Sequence, residues 1–192
     1  MQLRMLYSPD QSPLPELFIP EGFEIRALEL SDLKEWGEIL HPACEFSFKD
    51  SEYCANFFKL ALPGGIIGAY EKSSGRLAAT ATAQYMECEI PGGLGWVMAL
   101  PEIRGKKLGA AVVAAAMNHG IRNGLSLMCL ATDDHRLPAI GLYLKYGWRP
   151  YLFAEDMPDR WRNVLKNLNL APETVEDYSL SEDLKVKVNH TL

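Results

Sequence analysis

The stretch GWVMALPEIRGKKLGA, residues 95–110, constrains this chain more than any other. An apolar run from Gly95 to Leu100 reads as a strand, and Pro101 breaks it. A short basic loop with two glycines covers residues 104–109, and an apolar helical period opens at Leu108. A strand feeding a helix through so short a loop aims several main-chain N–H groups at one point. The first turn of a helix has donors without intrahelical partners, and its dipole favours negative charge there. That geometry suits a phosphate or pyrophosphate. Gly105 and Gly109 let a ligand approach the main chain closely, and Arg104, Lys106 and Lys107 add positive charge. The loop is neither of two common phosphate-binding patterns. No Ser or Thr follows the lysines, as a P-loop requires, and the three glycines and downstream acid of the dinucleotide fingerprint are missing.

A strand over residues 125–132 follows that helix. A second short helix then carries Ala139 and Tyr143 and stops at Gly147, before Trp148. The run from Gly95 to Trp148 resembles the GNAT superfamily of N-acetyltransferases. That family carries a strand, an Arg/Gln-x-x-Gly-x-Gly/Ala loop, a helix, a strand, and a helix ending in Tyr-x-x-x-Gly-Phe. Arg104, Leu108 and Gly109 match the loop, and Tyr143, Lys145, Gly147 and Trp148 match the closing motif, with Trp for Phe. Lys107 stands where the family has its middle glycine, and Arg136 where many members have Asn. The resemblance implies an α/β (α+β) fold. Its mixed, mostly antiparallel central sheet would have helices on both faces and a parallel strand pair splayed apart.

The 192 residues suit one domain with terminal extensions. We expect an extended arm over 1–20, an acetyltransferase-like domain over 21–170, and a tail over 171–192. The arm holds four prolines, and its Leu14, Leu17, Phe18 and Ile19 are expected to pack. Hydrophobic residues make up 48% and charged ones 23%, ordinary for a globular domain. A net charge of −6 argues against a broad nucleic-acid surface. Cys44, Cys54, Cys88 and Cys129 form no CxxC pair and have no histidine at ligand spacing, so no metal is expected. No apolar stretch reaches spanning length, and the first residues lack the pattern of a secretory leader. The expectation is a cytoplasmic protein that does not engage a membrane. The apolar arm is compatible with a homodimer.

Phe23 to Leu28 alternates as a strand. Ser31 then reads as a helix N-cap, with Leu33, Trp36, Ile39 and Leu40 at helical spacing. A further helix is expected over 52–62. Residues 66–71 and 77–89 should pair through a turn at Ser73, Ser74 and Gly75, and Gly92 and Gly93 read as another hairpin turn. After residue 107, Leu108, Ala111, Val112, Ala115 and His119 share a helix face, closed by Asn123-Gly124. Residues 158–168 keep helical spacing.

The resemblance implies acetyl transfer from acetyl-CoA to a primary amine of a small molecule or peptide, by direct attack in a ternary complex. Main-chain groups of Gly105, Lys106, Lys107, Leu108, Gly109 and Ala110 would hold the pyrophosphate, with Arg104 beside them. Met98, Ala99 and Leu100 would offer strand-edge groups to the pantetheine amides. Tyr143 would protonate the departing sulfur, since a free phenol titrates near ~10, close to a thiol of similar basicity. Many relatives have a glutamate on the strand before the loop, and here that strand has none. Glu87, Glu89, Asp133, Asp134 and His135 are the candidate bases, Glu87 and Asp134 foremost, and a water relay would also serve. The acceptor is expected to meet residues 41–51. The alternatives are a non-catalytic acyl-CoA sensor, a transferase for longer acyl chains or hydroxyl acceptors, and a structural dimerisation protein.

Overall fold

The computed structural model describes residues 1–44, 56, 58–86, 90, 92–103 and 105–171. In chain order the elements are β1 (Leu3–Tyr7), β2 (Phe23–Ala27), α1 (Leu33–Cys44), β3 (Ala61–Glu71), β4 (Leu77–Tyr85) and β5 (Gly92–Ala99). They continue with α2 (Leu108–Arg122), β6 (Met128–Thr132), α3 (Leu137–Lys145), β7 (Arg149–Tyr151) and α4 (Met157–Asn167). They group into two compact units.

The larger unit, residues 14–86 and 92–125, holds β2, β3, β4 and β5 side by side and antiparallel, with α1 and α2. Its core is Ile66, Tyr70, Leu77, Ala79, Trp36, Val112, Val113 and Met117, each at most 2% exposed. Burying such side chains contributes about 1.5–3 kcal/mol for each large one. The entry to α1 differs from the expectation at Ser31. A 3-10 turn over Leu30–Asp32 precedes the helix, and Asp32, not Ser31, makes the cap by accepting the Glu29 N–H at 2.9 Å. Asp32 also accepts from Arg26 at 2.8 Å and from the Tyr70 hydroxyl at 3.0 Å, while Arg26 lies 3.7 Å from the Tyr70 ring centroid. The Arg26 guanidinium holds the Asp32 carboxyl below its ordinary range, and burial pushes the Tyr70 phenol up.

The glycines expected to turn the chain lie within β5 instead. Gly92 is pressed against Leu125, where a Cβ would come within 2.6 Å of a methyl carbon. The strand therefore starts at Gly92 rather than Gly95. β3 likewise begins at Ala61, with a four-residue irregularity between Ala61 and Ile66 opposite one residue of β4. Residues 52–55 and 57 of the helix expected over 52–62 lie outside the described residues; residues 56 and 58–60 are helical, and 61 and 62 belong to β3. In the arm, Leu17 and Ile19 are 47% and 61% exposed rather than packed, and Pro15 is held by a hydrogen bond from Asn118 at 3.0 Å.

The smaller unit, residues 1–13, 87–91 and 126–192, orders its strands β6-β1-β7, with α3 and α4. β1, inside the arm expected to be extended, is the middle strand. Met5 faces Leu130 on one side and Pro150 on the other. Leu6, Ile90, Leu127 and Cys129 form a cluster under Tyr151. α4 spans almost the residues that periodicity assigns to it, and Met157, Trp161, Val164 and Leu165 are its buried face. Residues 172–192, which cover nearly all of the expected tail, lie outside the described residues.

Candidate active site

β5 does not run straight into its loop. Thr80 pairs with Met98 and Thr82 with Gly95, so Trp96 and Val97 together face only Ala81. This bulge puts Trp96 at φ 50°, a left-handed value that a bulky residue adopts only at a cost. The Thr80 hydroxyl donates to the displaced Trp96 carbonyl at 3.2 Å, and the Trp96 ring meets Trp36 edge-on at 6.1 Å. Past the bulge, Leu100 N–H returns to the ladder through Ala78 O at 3.0 Å. Met98 and Leu100 are buried and Ala99 half-buried, so the strand's edge is firmly seated.

A 3-10 turn over Pro101–Ile103 follows, and its Ile103 side chain is buried. Ile103 N–H donates to Leu100 O at 3.1 Å and Lys106 N–H to Ile103 O at 3.3 Å. Gly105 takes φ 84° and Lys107 φ 62°, ψ 11°, and Leu108, 2% exposed, anchors the helix start. Two left-handed residues separated by one compress the turn. The loop is pinned by Ile103 and Leu108, while Gly105, Lys106 and Lys107 are exposed. The first i→i−4 bond of α2 runs from Ala111 N–H to Lys107 O at 3.0 Å, so the amides of Leu108 and Gly109 precede the ladder. Lys107 is the N-cap residue and supplies no side-chain cap, and the first turn holds no acidic residue. Glu102, the nearest carboxylate in sequence, is turned to Arg76 at 2.9 Å.

Gly109 is informative by contrast with Gly105. The +84° φ of Gly105 explains its glycine. Gly109 is helical without positive φ, and a Cβ there would meet no atom of the described residues within 4 Å. Neither conformation nor internal packing asks for glycine, whereas a ligand lying against the first turn would. The residues therefore fit an extended phosphate ester. Lys106 Nζ lies 5.8 Å from the Phe23 ring centroid. Arg104 falls outside the described residues.

In the smaller unit, Tyr143 is 6% exposed on α3, its ring 6.3 Å from Trp148. The Tyr-x-x-x-Gly-Trp spacing has a local cause. Gly147 takes φ 84°, and Trp148 N–H donates back to Tyr143 O at 3.0 Å, closing the helix. A Cβ at Gly147 would lie 2.4 Å from that of Ser12. Asp134 is engaged by Arg160, whose Nε and Nη2 donate to its two oxygens at 3.0 and 2.5 Å. That guanidinium holds the Asp134 carboxyl below its usual range, which weakens it as a proton acceptor. Asp133 pairs with Arg136 at 3.1 Å. Glu87 and Glu89 lie outside the described residues. His119, at the far end of α2, has Nε2 2.9 Å from Pro63 O. No group of three or more His, Cys, Asp or Glu placed to hold a metal occurs among the described residues, and none of their helices is long and apolar enough to cross a membrane. The bulge at Trp96 and the polar row Thr80, Thr82, Gln84 beside it escaped the reading of the sequence. The alternation of those three with alanines was the available signal.

Comparison with known proteins completes the picture. The model of the acetyltransferase (GNAT) family matches residues 30–148. A comparison with curated protein sequences gave no match. Among solved structures, a GCN5-related N-acetyltransferase from Sphaerobacter thermophilus superposes with TM-score 0.62 at 22% identity, covering 77% of this chain and 47% of that one. The ribosomal-protein-S18-alanine N-acetyltransferase of Escherichia coli gives 0.55 at 22% identity, covering 65% of this chain and 76% of that one. Glucosamine-6-phosphate N-acetyltransferase from Arabidopsis thaliana gives 0.50 at 25%, covering 66% and 91%. The chain thus spans about half the length of the first of these, and 58% of a similar protein from Novosphingobium aromaticivorans. The fold is the expected mixed, mostly antiparallel α/β one. With more than half of its residues under the family model, the chain belongs to the acetyltransferase (GNAT) family.

Proposed function

We propose that this chain is an acetyl-CoA-dependent N-acetyltransferase acting on a primary amine of a small molecule or peptide. The observation that carries the proposal is the loop before α2, with two left-handed residues, the amides of Leu108 and Gly109 ahead of the helical ladder, and a Gly109 whose missing side chain no described residue requires. The Lys106 N–H is taken by Ile103 O, so the amides of Gly105, Lys107, Leu108 and Gly109 would bind the pyrophosphate, with the charges of Arg104, Lys106 and Lys107 around it. Met98, Ala99 and Leu100 would take the pantetheine arm as an added strand.

In the ternary complex the amine nitrogen attacks the thioester carbon. The N–C bond forms and the C–S bond breaks. The sulfur leaves with the bonding pair and takes a proton from the Tyr143 phenol. The proton shed by the new amide nitrogen goes to a carboxylate or through water, and bulk solvent then reprotonates Tyr143. Because Asp134 is held ionised by Arg160, we assign that proton to a water relay or to Glu87 ahead of Asp134. A second reading, an acyl-CoA sensor without turnover, draws on Lys107, a strained residue where the family has glycine.

Two measurements test the proposal. CoA should raise the melting temperature of the chain, and acetyl-CoA should release free thiol when an amine panel is supplied. Binding without thiol release would select the sensor, and no thermal shift at millimolar CoA would overturn both readings. Tyr143→Phe should cut kcat while leaving the CoA-induced shift in place; full turnover in that variant removes the phenol from the mechanism.

A further inference from the structure

Strand β2 ends the ladder, and among the described residues no strand lies along its second edge. The register with β3 fixes what that edge presents. Lys72 N–H donates to Gly22 O at 2.9 Å and Leu28 N–H to Ile66 O at 2.8 Å, so the even-numbered residues of β2 turn their main chain toward β3. Phe23, Ile25 and Ala27 turn theirs outward. Two of these outward groups are used within the chain. Phe23 N–H donates to Pro20 O at 3.2 Å, closing a turn with Gly22 at φ 81°, and Ala27 O accepts from Arg26 Nη1 at 3.1 Å. Phe23 O, Ile25 N–H, Ile25 O and Ala27 N–H have no partner among the described residues.

Those four groups form a self-complementary set. Antiparallel pairing of two copies of β2 about a two-fold axis at Ile25 sets Ile25 against Ile25, Phe23 against Ala27 and Glu24 against Arg26. Each Ile25 N–H then donates to the other Ile25 O, and each Ala27 N–H to the other Phe23 O. The two groups already engaged, Phe23 N–H and Ala27 O, would have faced each other in this pairing, so neither is left waiting. Charge selects the same register. Glu24 and Arg26 are exposed and share one face of β2. A two-fold at residue 24 sets glutamate against glutamate and calls on the Phe23 N–H. One at residue 26 sets arginine against arginine and calls on the Ala27 O. Directly opposed like charges destabilise a strand pair, and only the axis at Ile25 opposes unlike ones.

Apolar surface flanks the strand at both ends. Leu17, Phe18 and Ile19 precede it, and Leu30, 70% exposed, follows it. Antiparallel pairing brings the leading end of one copy to the trailing end of the other, so the exposed Leu30 of each meets the apolar arm of its mate. We infer that the free edge of β2 pairs with the same edge of a second copy, and that the chain is a two-fold dimer joined through β2. The charges that blunt this edge toward foreign strands are the ones that fit it to itself. The inference is independent of the acetyl-transfer reading, because the loop before α2 takes no part in it.

Sedimentation equilibrium of the full chain at high-micromolar concentration should give twice the 21.5 kDa of one copy. A chain that stays at 21.5 kDa there overturns the inference. Ile25→Pro removes the central N–H and spares the ladder to β3, a place where an edge strand accepts proline. It should leave a monomer with wild-type circular dichroism. Glu24→Lys should raise the dimer Kd about tenfold, because lysine then stands opposite arginine twice. A dimer unmoved by both substitutions is joined elsewhere, and the inference fails. A third measurement needs no variant. Amide exchange at Ile25 and Ala27, followed by NMR, should slow as chain concentration rises, while exchange at the exposed turn of Ser73 and Ser74 should not. A chain that sediments as a dimer yet exchanges Ile25 and Ala27 at one rate throughout also overturns the inference.

Discussion

Gly109 and Gly147 both stand at helix ends in motif positions, and the protein needs them for opposite reasons. Gly147 is crowded and left-handed: a Cβ would collide with Ser12, and φ is 84°. Gly109 is neither, with open space where its side chain would be. The first glycine is explained wholly by the fold. The second has no such explanation among the described residues, so the pair separates a glycine the fold requires from one that the proposed coenzyme site would require.

The comparison breaks most visibly at Gly147. Gly147→Ala should lower stability by about 3 kcal/mol, from a strained φ together with overpacking against Ser12, and a melting curve reads this directly. Gly109→Val should do the reverse. Stability should stay near wild type, yet CoA affinity should fall about tenfold, some 1.4 kcal/mol, by calorimetry. Equal losses of stability at both sites would erase the contrast. Lys107→Gly sharpens it further, since a lysine at φ 62° carries strain that glycine lacks. The variant should gain about 1 kcal/mol of stability, and its CoA affinity should depend less on salt. Tighter CoA binding in this variant would show that the lysine charge is not used. The smallest effect belongs to Arg160→Leu. Asp134 titrates below its ordinary range in the folded chain, so its pairing stabilises at neutral pH. That contribution is lost as pH falls through the lowered value. The difference between wild type and variant should be under about 1 kcal/mol at neutral pH, because the pair is partly exposed, and should vanish in strong acid.

These contrasts also show what a sequence can carry. The strand, loop and helix around Lys107 were legible because each element has a local signal: an apolar run, Pro101, two glycines and a helical period. The closing turn at Gly147 was legible for the same reason. β1 was not, because Leu3, Met5, Leu6 and Tyr7 are all buried and erase the alternation that marks a strand with one wet face. Gly92 and Gly93 misled because glycine marks turns, whereas Gly92 here makes room for Leu125, a contact set by tertiary packing. The bulge at Trp96 left no local trace, since it arises from the count of residues on two strands rather than from either one. The Arg160–Asp134 pair, which reassigns a candidate base, joins residues far apart in sequence and belongs to the same class.

The placement of β1 has a consequence for how the smaller unit assembles. Leu3 finds its ladder partner in Thr132 and Met5 also in Pro150, so a segment met at the start of the sequence is completed only by segments near its end. The unit cannot form its sheet piecemeal. Its search must close a very long loop, so refolding kinetics should show this sheet forming after the other unit, with Leu3–Tyr7 open to rival pairings until β6 and β7 arrive.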